Sequence, residues 1–296
     1  LGKSLIRIIN KKNINLLTPS SKKLNLLDKN SIDKYLKKNK PNYVIHLAGY
    51  IGGIEANINE PVNFLQENIL MGINLVKSCC AFKIKNFLNI GSSCIYPTNF
   101  KHALKEEKLF DGKVETTNEG YAIAKIAVIK ICEYVSKELK FNYFSLIPCN
   151  IYGPHDKFDT KRGHVIGSLI NKIYNAKVNS NKKVELLGSG KSKREFLYVD
   201  DVSKAIIKFL YSRKLIKKNI YWLNVGSGHD ITINNLAKKI SKYVNYKGKF
   251  YNNLSKPDGA KKKLLDVTLI NKLNWKPKIN LDEGLKKTIN WYSKNN

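Results

Sequence analysis

The sequence predicts a doubly wound α/β fold built on a parallel sheet, and two features of its patterning indicate this. Short apolar runs have the length of buried strands, and they lie at residues 14–17, 43–48, 87–91 and 143–148. Longer segments separate them, and in 61–84 and 120–139 apolar residues recur at spacings of three and four, as in helices that pack on a sheet. This rhythm of strands and helices is typical of nucleotide-binding sheets.

The chain begins in an unusual way for such a fold. A dinucleotide-binding sheet opens with an apolar strand and a glycine-rich turn that leads into the first helix. Here only Leu1 and Gly2 precede the helix-like segment KSLIRIIN. We therefore expect that the first strand is missing by truncation and that Gly2 is the last glycine of the turn.

The second half of the chain has a different character. Loops rich in Gly, Pro, Asn and Lys become frequent after Pro148. The sequence predicts a nucleotide-binding domain over residues 1–163 and a smaller region over 164–296 that mainly binds substrate. Because the segments REFLYVDDV, SKAIIKFLY and IYWLNVGSG again follow a strand–helix–strand pattern, we expect residues 195–228 to return to the first domain.

Composition excludes several classes of protein. With 43% hydrophobic and 26% charged residues over 296 positions, the chain is globular rather than disordered. No apolar run reaches the roughly 18 residues of a membrane span and no signal-peptide core is present, so a soluble, cytoplasmic protein is predicted. The five cysteines include no Cys-x-x-Cys pair, and no metal site is predicted from the spacing of histidines and carboxylates.

The chain is strongly basic, with 53 Lys and Arg against 23 Asp and Glu and a net charge of +30. Arg occurs only at positions 7, 162, 194 and 213, so lysine carries nearly all of the positive charge. Proteins that read bases rely on the bidentate guanidinium, and we therefore expect no specific nucleic-acid partner. An inactive basic scaffold that binds polyanions is the alternative from another class.

Three side chains predict a hydride-transfer site. Tyr121 and Lys125 stand four residues apart in GYAIAKIAV, so both lie on one helix face. The ammonium is expected to lower the pKa of the phenol towards neutrality. Ser92 follows the predicted strand FLNIG, and the carboxyl ends of parallel strands form the ligand crevice of such a sheet. The Tyr-x-x-x-Lys pair alone would more often be a solvated helix face.

Six motifs follow one another along the chain: GSSCIYP, TNEGYAIAK, PCNIYGPHDKF, GHVIGSLI, REFLYVDD and SKPDGAKKKLLDVT. Their joint order resembles the GDP-L-fucose synthase family of extended short-chain dehydrogenases/reductases. The resemblance implies a Rossmann-type sheet, NADP(H), and the 3,5-epimerisation and 4-reduction of GDP-4-keto-6-deoxy-D-mannose. It also implies a homodimer that the helices at 61–84 and 120–139 could form. Another nucleotide-sugar epimerase or reductase of the same superfamily is the nearest alternative.

The resemblance also implies roles for individual residues. Ser92 and Tyr121 would hold the C4 carbonyl oxygen, and Lys125 would bind the nicotinamide ribose. Cys94 and His164 match the pair that moves protons at C3 and C5. The related 4,6-dehydratases carry a pair of carboxylic acids shortly after the serine, where Ser93 and Cys94 stand here, and this argues against dehydration.

The substrate and cofactor contacts follow from the same comparison of motifs. Arg194 and Lys263 resemble contacts to the GDP moiety, and Asn150 lies near the bound sugar in the family. The expected cofactor contacts are Gly2, Ser20, Ser21, Lys22, Ala48, Gly49, Tyr121, Lys125 and His164. The segment TPSSKK offers no Asp or Glu for a ribose 2′-hydroxyl, and its serines and lysines suit a 2′-phosphate, which favours NADP over NAD.

The charged residues close to these motifs have a less specific interpretation. Glu106, Glu107, Glu115 and Glu119 are predicted to be surface acids rather than a catalytic pair. Seen alone, the run Lys261 to Lys263 would be solvated. Asp266 is expected to cap or orient a basic neighbour.

Overall fold

The computed structural model describes residues 1–10, 14–98, 100–160, 162–210, 212–256 and 258–296. The strands are β1 (Val44–His46), β2 (Asn86–Ile90), β3 (Asn142–Pro148), β4 (Asn150–Tyr152), β5 (Lys183–Leu187), β6 (Lys193–Tyr198), β7 (Trp222–Val225), β8 (Asp230–Thr232), β9 (Lys249–Asn253) and β10 (Lys262–Lys263). The helices are α1 (Gly2–Ile9), α2 (Lys29–Asn39), α3 (Ile54–Asn59), α4 (Pro61–Ala81), α5 (Glu119–Leu139), α6 (Val165–Val178), α7 (Val199–Lys208), α8 (Arg213–Ile216), α9 (Ile233–Val244), α10 (Thr268–Lys272) and α11 (Leu281–Asn295). None of these helices combines the length and the apolar composition that crossing a membrane requires.

A parallel sheet forms the centre of the fold. Within the described residues its strands run in the order β1-β2-β3-β7. Side chains alternate between its faces, because Phe87 joins the cluster formed with α2 and α4, whereas Leu88 joins the cluster formed with α1 and α7. Helices therefore cover both faces, and the predicted doubly wound α/β fold is confirmed.

The strand predicted at residues 14–17 is wrong. These residues are not in a strand, and Ile14 and Leu17 are 48% and 40% exposed. A strand depends on hydrogen bonds to a neighbouring strand, and among the described residues β1 pairs only with β2. The apolar run gave the composition of a buried strand but not the partner that a strand needs.

The second half of the chain divides between two layers. β7 pairs with β3 in the central sheet. β6 lies instead in a second sheet of order β10-β6-β4, with β8 antiparallel to β6. Helices α6, α9 and α11 pack on this region through a separate apolar cluster that includes Ile166, Leu236 and Leu285. Residues 222–225 thus return to the central sheet, and residues 193–198 do not.

Helices α4 and α5 touch at a glycine. A Cβ atom on Gly72 would lie 2.2 Å from Cγ2 of Val128, and one on Gly120 would lie 2.9 Å from the carbonyl oxygen of Pro61. Both distances are too short for a real Cβ atom, so another residue would require the Val128 side chain or the Pro61 backbone to move. Because α5 carries Tyr121 and Lys125, this close contact fixes the helix that presents them to the sheet.

We expect Gly72→Ala to lower the free energy of unfolding by about 1–3 kcal/mol, because the added methyl group overpacks the contact with Val128. Urea denaturation measures the change. Gly2→Ala is the matched control, since its methyl group would meet Leu47 Cδ1 at 3.9 Å, an ordinary contact. Equal stabilities of the two variants would contradict this account of the helix pair.

Candidate active site

The carboxyl end of β2 carries Ser92 and Cys94. The N–H of Gly91 donates to the carbonyl oxygen of Leu146 at 2.8 Å, which continues the sheet by one residue. The chain then turns through a short 3-10 helix at Ser93–Ile95, and Ser92 Oγ accepts the N–H of Cys94 at 3.4 Å. Both side chains are thereby placed at the edge of the sheet where ligands of α/β proteins bind.

Lys125 reaches the same edge from α5. Its ammonium donates to the carbonyl oxygen of Ile90 at 3.1 Å and lies 5.6 Å from the centre of the Tyr121 ring. Burial lowers the pKa of Lys125 to about 8, while the nearby Cys94 favours the charged form. The hydrogen bond to Ile90, two residues before Ser92, brings the predicted Ser92, Tyr121 and Lys125 into one neighbourhood.

The surroundings of the Tyr121 phenol favour its protonated form. Burial raises its pKa, and the proximity of Cys94 raises it further. The ring packs edge-on against Phe64, with centroids 6.2 Å apart. The sequence predicted a pKa lowered by Lys125, and this direction is wrong because burial disfavours the charged phenolate.

The thiol of Cys94 lies among charged groups. Burial raises its pKa, whereas Lys263, the Ser92 hydroxyl and Lys125 lower it. His164 lies outside this network in the described part of the chain. It is exposed at the N-terminus of α6, and the charged side chain near it is Asp156. The structure therefore brings Cys94 to Ser92, Tyr121 and Lys125, and places His164 on a separate element.

The Lys263 ammonium that acts on Cys94 belongs to a buried ion pair. Lys263 Nζ is 2.8 Å from Glu115 Oε2, and the two side chains are only 10% and 8% exposed. The prediction that Glu115 is a surface acid is wrong, and Lys263 is buried rather than solvated as a charge run seen alone would be. Each charge offsets part of the free-energy cost of burying the other. The sequence does not reveal this, because the two partners are distant in the chain. Glu107 and Glu119 are exposed as predicted, and Glu106 is half-buried.

Arg194 is the neighbour of Lys263 across two parallel strands, because the register of β6 and β10 pairs these two residues. Its Nη1 donates to the carbonyl oxygen of Ala260 at 2.6 Å. Asn150, on β4, donates through Nδ2 to the carbonyl oxygen of Glu195 at 2.8 Å. The structure thus groups Arg194 with Lys263 and places Asn150 on the other side of β6. Asp266 lies just before α10, and its carboxylate accepts the N–H of Thr268, the first residue of that helix, at 2.8 Å.

Small residues line the edge of the sheet beside Lys125. A Cβ atom on Gly49 would lie 3.1 Å from Asn68 Oδ1 and 3.7 Å from Lys125 Nζ. Asn68, which the sequence did not indicate, holds this turn by bonding both the N–H and the carbonyl oxygen of Tyr50 at 3.0 Å. Its only sequence signal is a polar residue on the apolar face of α4.

The same edge fits a dinucleotide. Gly2 lies beside Leu47, whose side chain would be 3.9 Å from a Cβ on the glycine, and Ala48 and Gly49 follow directly. These small residues leave the backbone accessible at the start of α1, where the helix dipole favours an anion. Ser20, Ser21 and Lys22 lie in an exposed turn. The residues present therefore suit a pyrophosphate and, beside Lys125, a ribose.

Residues 1–226 match the family model described as the NAD dependent epimerase/dehydratase family. The chain belongs to this family. It is 44% identical to a GDP-L-colitose synthase of Yersinia pseudotuberculosis over 100% of this chain and 96% of the relative. It is 36% identical to a GDP-L-fucose synthase of Azorhizobium caulinodans, over 99% and 93% of the two chains. The structure of a GDP-mannoheptose C4 reductase from Campylobacter jejuni with NADP bound superimposes with a TM-score of 0.88 at 30% identity, covering 99% of this chain and 94% of that chain.

These comparisons confirm the family predicted from the six motifs. They also show that this member of the epimerase/dehydratase family is an enzyme that acts on nucleotide sugars. Its relatives include a GDP-L-fucose synthase and a GDP-mannoheptose C4 reductase. The roles of individual residues rest on the geometry above.

We predict that Lys125→Met removes a pH dependence of stability. The folded chain holds Lys125 with a pKa of about 8, and the unfolded chain with a pKa of about 10.4, so between these pH values the unfolded state binds more protons. The native protein should therefore gain, relative to Lys125→Met, on the order of 2 kcal/mol of unfolding free energy from pH 7.5 to about 10. Urea denaturation of both proteins across this range measures it, and parallel pH profiles would contradict it.

Proposed function

We propose that the chain catalyses the NADPH-dependent 3,5-epimerisation and 4-reduction of GDP-4-keto-6-deoxy-D-mannose to GDP-L-fucose. The observation that carries this proposal is the convergence of Ser92, Tyr121 and Lys125 with the Cys94 thiol at one end of the sheet. A reductase of a 4-keto sugar needs a proton donor beside the carbonyl, and an epimerase needs an acid/base group beside the same ring. Both are present in one neighbourhood.

Reduction requires that the carbonyl oxygen at C4 receive a proton as a hydride reaches the carbon. Bound reduced nicotinamide would supply the hydride. Tyr121, kept protonated by burial, donates its proton to the developing alkoxide. The Ser92 hydroxyl donates a hydrogen bond to the same oxygen, and Lys125 places a positive charge close by. Arg194 and Lys263 bind the diphosphate side of the substrate, and Asn150 lies on the sugar side.

Epimerisation requires that a proton leave C3 or C5 on one face of the ring and return on the other. In the proposed mechanism, Cys94 as thiolate removes the proton α to the ketone, and Tyr121 and Ser92 stabilise the enolate oxygen. His164, at the N-terminus of α6, then donates a proton to the carbon, and exchange with water restores both groups. The ammonium groups of Lys263 and Lys125 favour the thiolate and partly offset the effect of burial.

The cofactor contacts are proposed on position and chemistry. Gly2, Ala48 and Gly49 would approach the pyrophosphate, Lys125 the nicotinamide ribose and Ser20, Ser21 and Lys22 the 2′-phosphate. We further propose that residues 1–163, together with part of 195–228, bind the nucleotide cofactor and that 164–296 mainly bind the GDP sugar. The five free thiols fit a reducing compartment and support a cytoplasmic location.

A second product is favoured by the 44% identity with the Yersinia enzyme, whose name specifies GDP-L-colitose. Colitose carries one oxygen fewer than fucose, so the two activities differ in substrate rather than in the reducing groups. The two substrates to compare are GDP-4-keto-6-deoxy-D-mannose and the corresponding 4-keto sugar with one oxygen fewer. Mass spectrometry of the product formed from each of these 4-keto substrates separates the two proposals.

We also propose a homodimer formed by α4 and α5. Apolar side chains on these helices are exposed, among them Val62 at 67%, Leu70 at 37%, Ile123 at 44% and Tyr134 at 54%. Exposed apolar residues grouped on two adjacent helices are typical of an interface between subunits. A second copy of this chain offers the same two helices and could cover them symmetrically.

We expect Tyr121→Phe to lower the rate of NADPH oxidation by at least about 100-fold with the 4-keto substrate, because the proton donor is lost.

Cys94→Ser and His164→Gln should instead block deuterium uptake at C3 and C5 from heavy water. Absorbance of reduced nicotinamide and mass spectrometry of the sugar measure the two steps. Wild-type chain that neither oxidises NADPH nor exchanges deuterium with either 4-keto substrate would rule out the proposed function.

For the dimer, Ile123→Glu places a charge on the exposed apolar face and should shift the protein towards monomer in analytical ultracentrifugation. Tyr251→Glu is a control, since Tyr251 is also about half exposed but lies on β9. A wild-type chain that sediments as a monomer at micromolar concentration would contradict the proposed interface.

A further inference from the structure

Glu115 lies where the segment before α5 meets the segment that leads into β10, the strand that carries Lys263. Its Oε1 accepts the N–H of Ala260 at 3.0 Å and the hydroxyl of Thr117 at 2.9 Å, and its Oε2 lies 2.8 Å from Lys263 Nζ. The carboxylate therefore has a partner for each oxygen while only 8% of the side chain is exposed. Glu115 thus connects the segment before α5 to the backbone of Ala260 and to the side chain of Lys263.

The backbone of the second loop is shaped to approach this carboxylate. Gly259 has a φ of +65°, and a Cβ on it would lie 2.8 Å from Glu115 Oε1 and 3.1 Å from Arg194 Nη2. Glycine is therefore required there for both reasons of conformation and space. Arg194 bonds the next carbonyl, that of Ala260. Glu115, Gly259 and Arg194 thus hold the residues that lead into Lys263.

The charge of Lys263 in turn acts on Cys94. Three charged groups act electrostatically on the thiol, namely Lys263 from β10, Lys125 from α5 and Glu115 itself, and the Ser92 hydroxyl and the Tyr121 phenol interact with it as well. Of the groups that lower the pKa of Cys94, Lys263 has the largest effect, whereas the direct effect of Glu115, which raises it, is smaller. The Lys263 ammonium therefore opposes the effect of burial on the thiol and favours the thiolate.

We propose that Glu115 is a positioning residue of the epimerisation step, which holds the Lys263 ammonium beside the Cys94 thiol. This inference rests on the proposed function for its catalytic meaning, but the arrangement itself exists without substrate. Removing the charge of Glu115 leaves a buried ammonium without its partner, which is strongly unfavourable. Lys263 then either turns towards water or loses its proton, and in both cases its positive charge no longer favours the thiolate.

The decisive variant is Glu115→Gln, because the amide oxygen can still accept from Ala260 and Thr117 and so preserves the loop. We expect the pH profile of Cys94 alkylation by iodoacetamide, followed by mass spectrometry of the Cys94 peptide, to move to higher pH, with roughly tenfold slower alkylation near neutral pH. A profile that is unchanged or moves to lower pH would overturn the proposal, since only the smaller direct effect of Glu115 would then be present.

Lys263→Met shows whether Glu115 acts through Lys263. This variant alone should also move the profile to higher pH, and in its background Glu115→Gln should cause no further upward movement. A further upward movement in the double variant would mean that Glu115 acts by another route and would overturn the proposal. Glu133→Gln is the matched control, because Glu133 is a buried glutamate paired with Lys130 and Lys137 farther along α5. Its alkylation profile should equal that of the wild type.

Deuterium uptake at C3 and C5 links this device to catalysis. Glu115→Gln should slow the exchange by roughly tenfold, in step with the loss of thiolate, while the affinity for NADPH is retained. If the wild-type chain shows no exchange, the proposed function fails and the alkylation profiles still test the arrangement. If the wild type exchanges and Glu115→Gln exchanges equally fast, the inference about Glu115 fails and the proposed function stands.

Discussion

The site depends on one buried contact, the hydrogen bond from the Lys125 ammonium to the carbonyl oxygen of Ile90. An ammonium removed from water needs such an acceptor. The contact forms only because α5 lies close against the sheet, and glycines allow this approach. A Cβ on Gly91 would lie 3.1 Å from Cδ1 of Ile129, and Gly72 lets α4 and α5 meet. The close packing of α5 against the sheet and against α4 therefore also determines where the Lys125 ammonium lies.

Burial also sets the protonation of the other groups at this edge. It raises the pKa of both Tyr121 and Cys94, whereas it lowers that of Lys125. A tyrosine that stays protonated suits proton donation to an alkoxide. A thiol that stays protonated does not suit proton removal, and here the ammonium groups of Lys263 and Lys125 oppose the effect of burial. Burial thus favours the proposed proton donation by Tyr121, whereas the proposed proton removal by Cys94 needs added positive charge.

Two buried glutamates join the central sheet to the second sheet. Glu195 is fully buried on β6, and its oxygens accept the N–H of Gly228 at 2.7 Å and that of Leu265 at 2.9 Å. Glu115 makes the corresponding connection from the loop before α5. Both carboxylates bond backbone of loops that border the site. Their charges are stabilised by the fold, and the segments on either side of β10, the strand that carries Lys263, are held in return.

The sequence by itself determined the class of the fold and much of the site. Short apolar runs and helical spacings are local patterns, so the strands at 44–46, 86–90 and 142–148 and the helices α4 and α5 were predictable. Spacing also placed Tyr121 and Lys125 on one helix face. Tertiary structure alone decided the burial of Glu115 and Lys263, the direction of the Tyr121 pKa shift and the absence of a strand at 14–17. Each of these depends on groups distant in the chain, a charge partner, a dry environment or a neighbouring strand, and no local pattern contains that information.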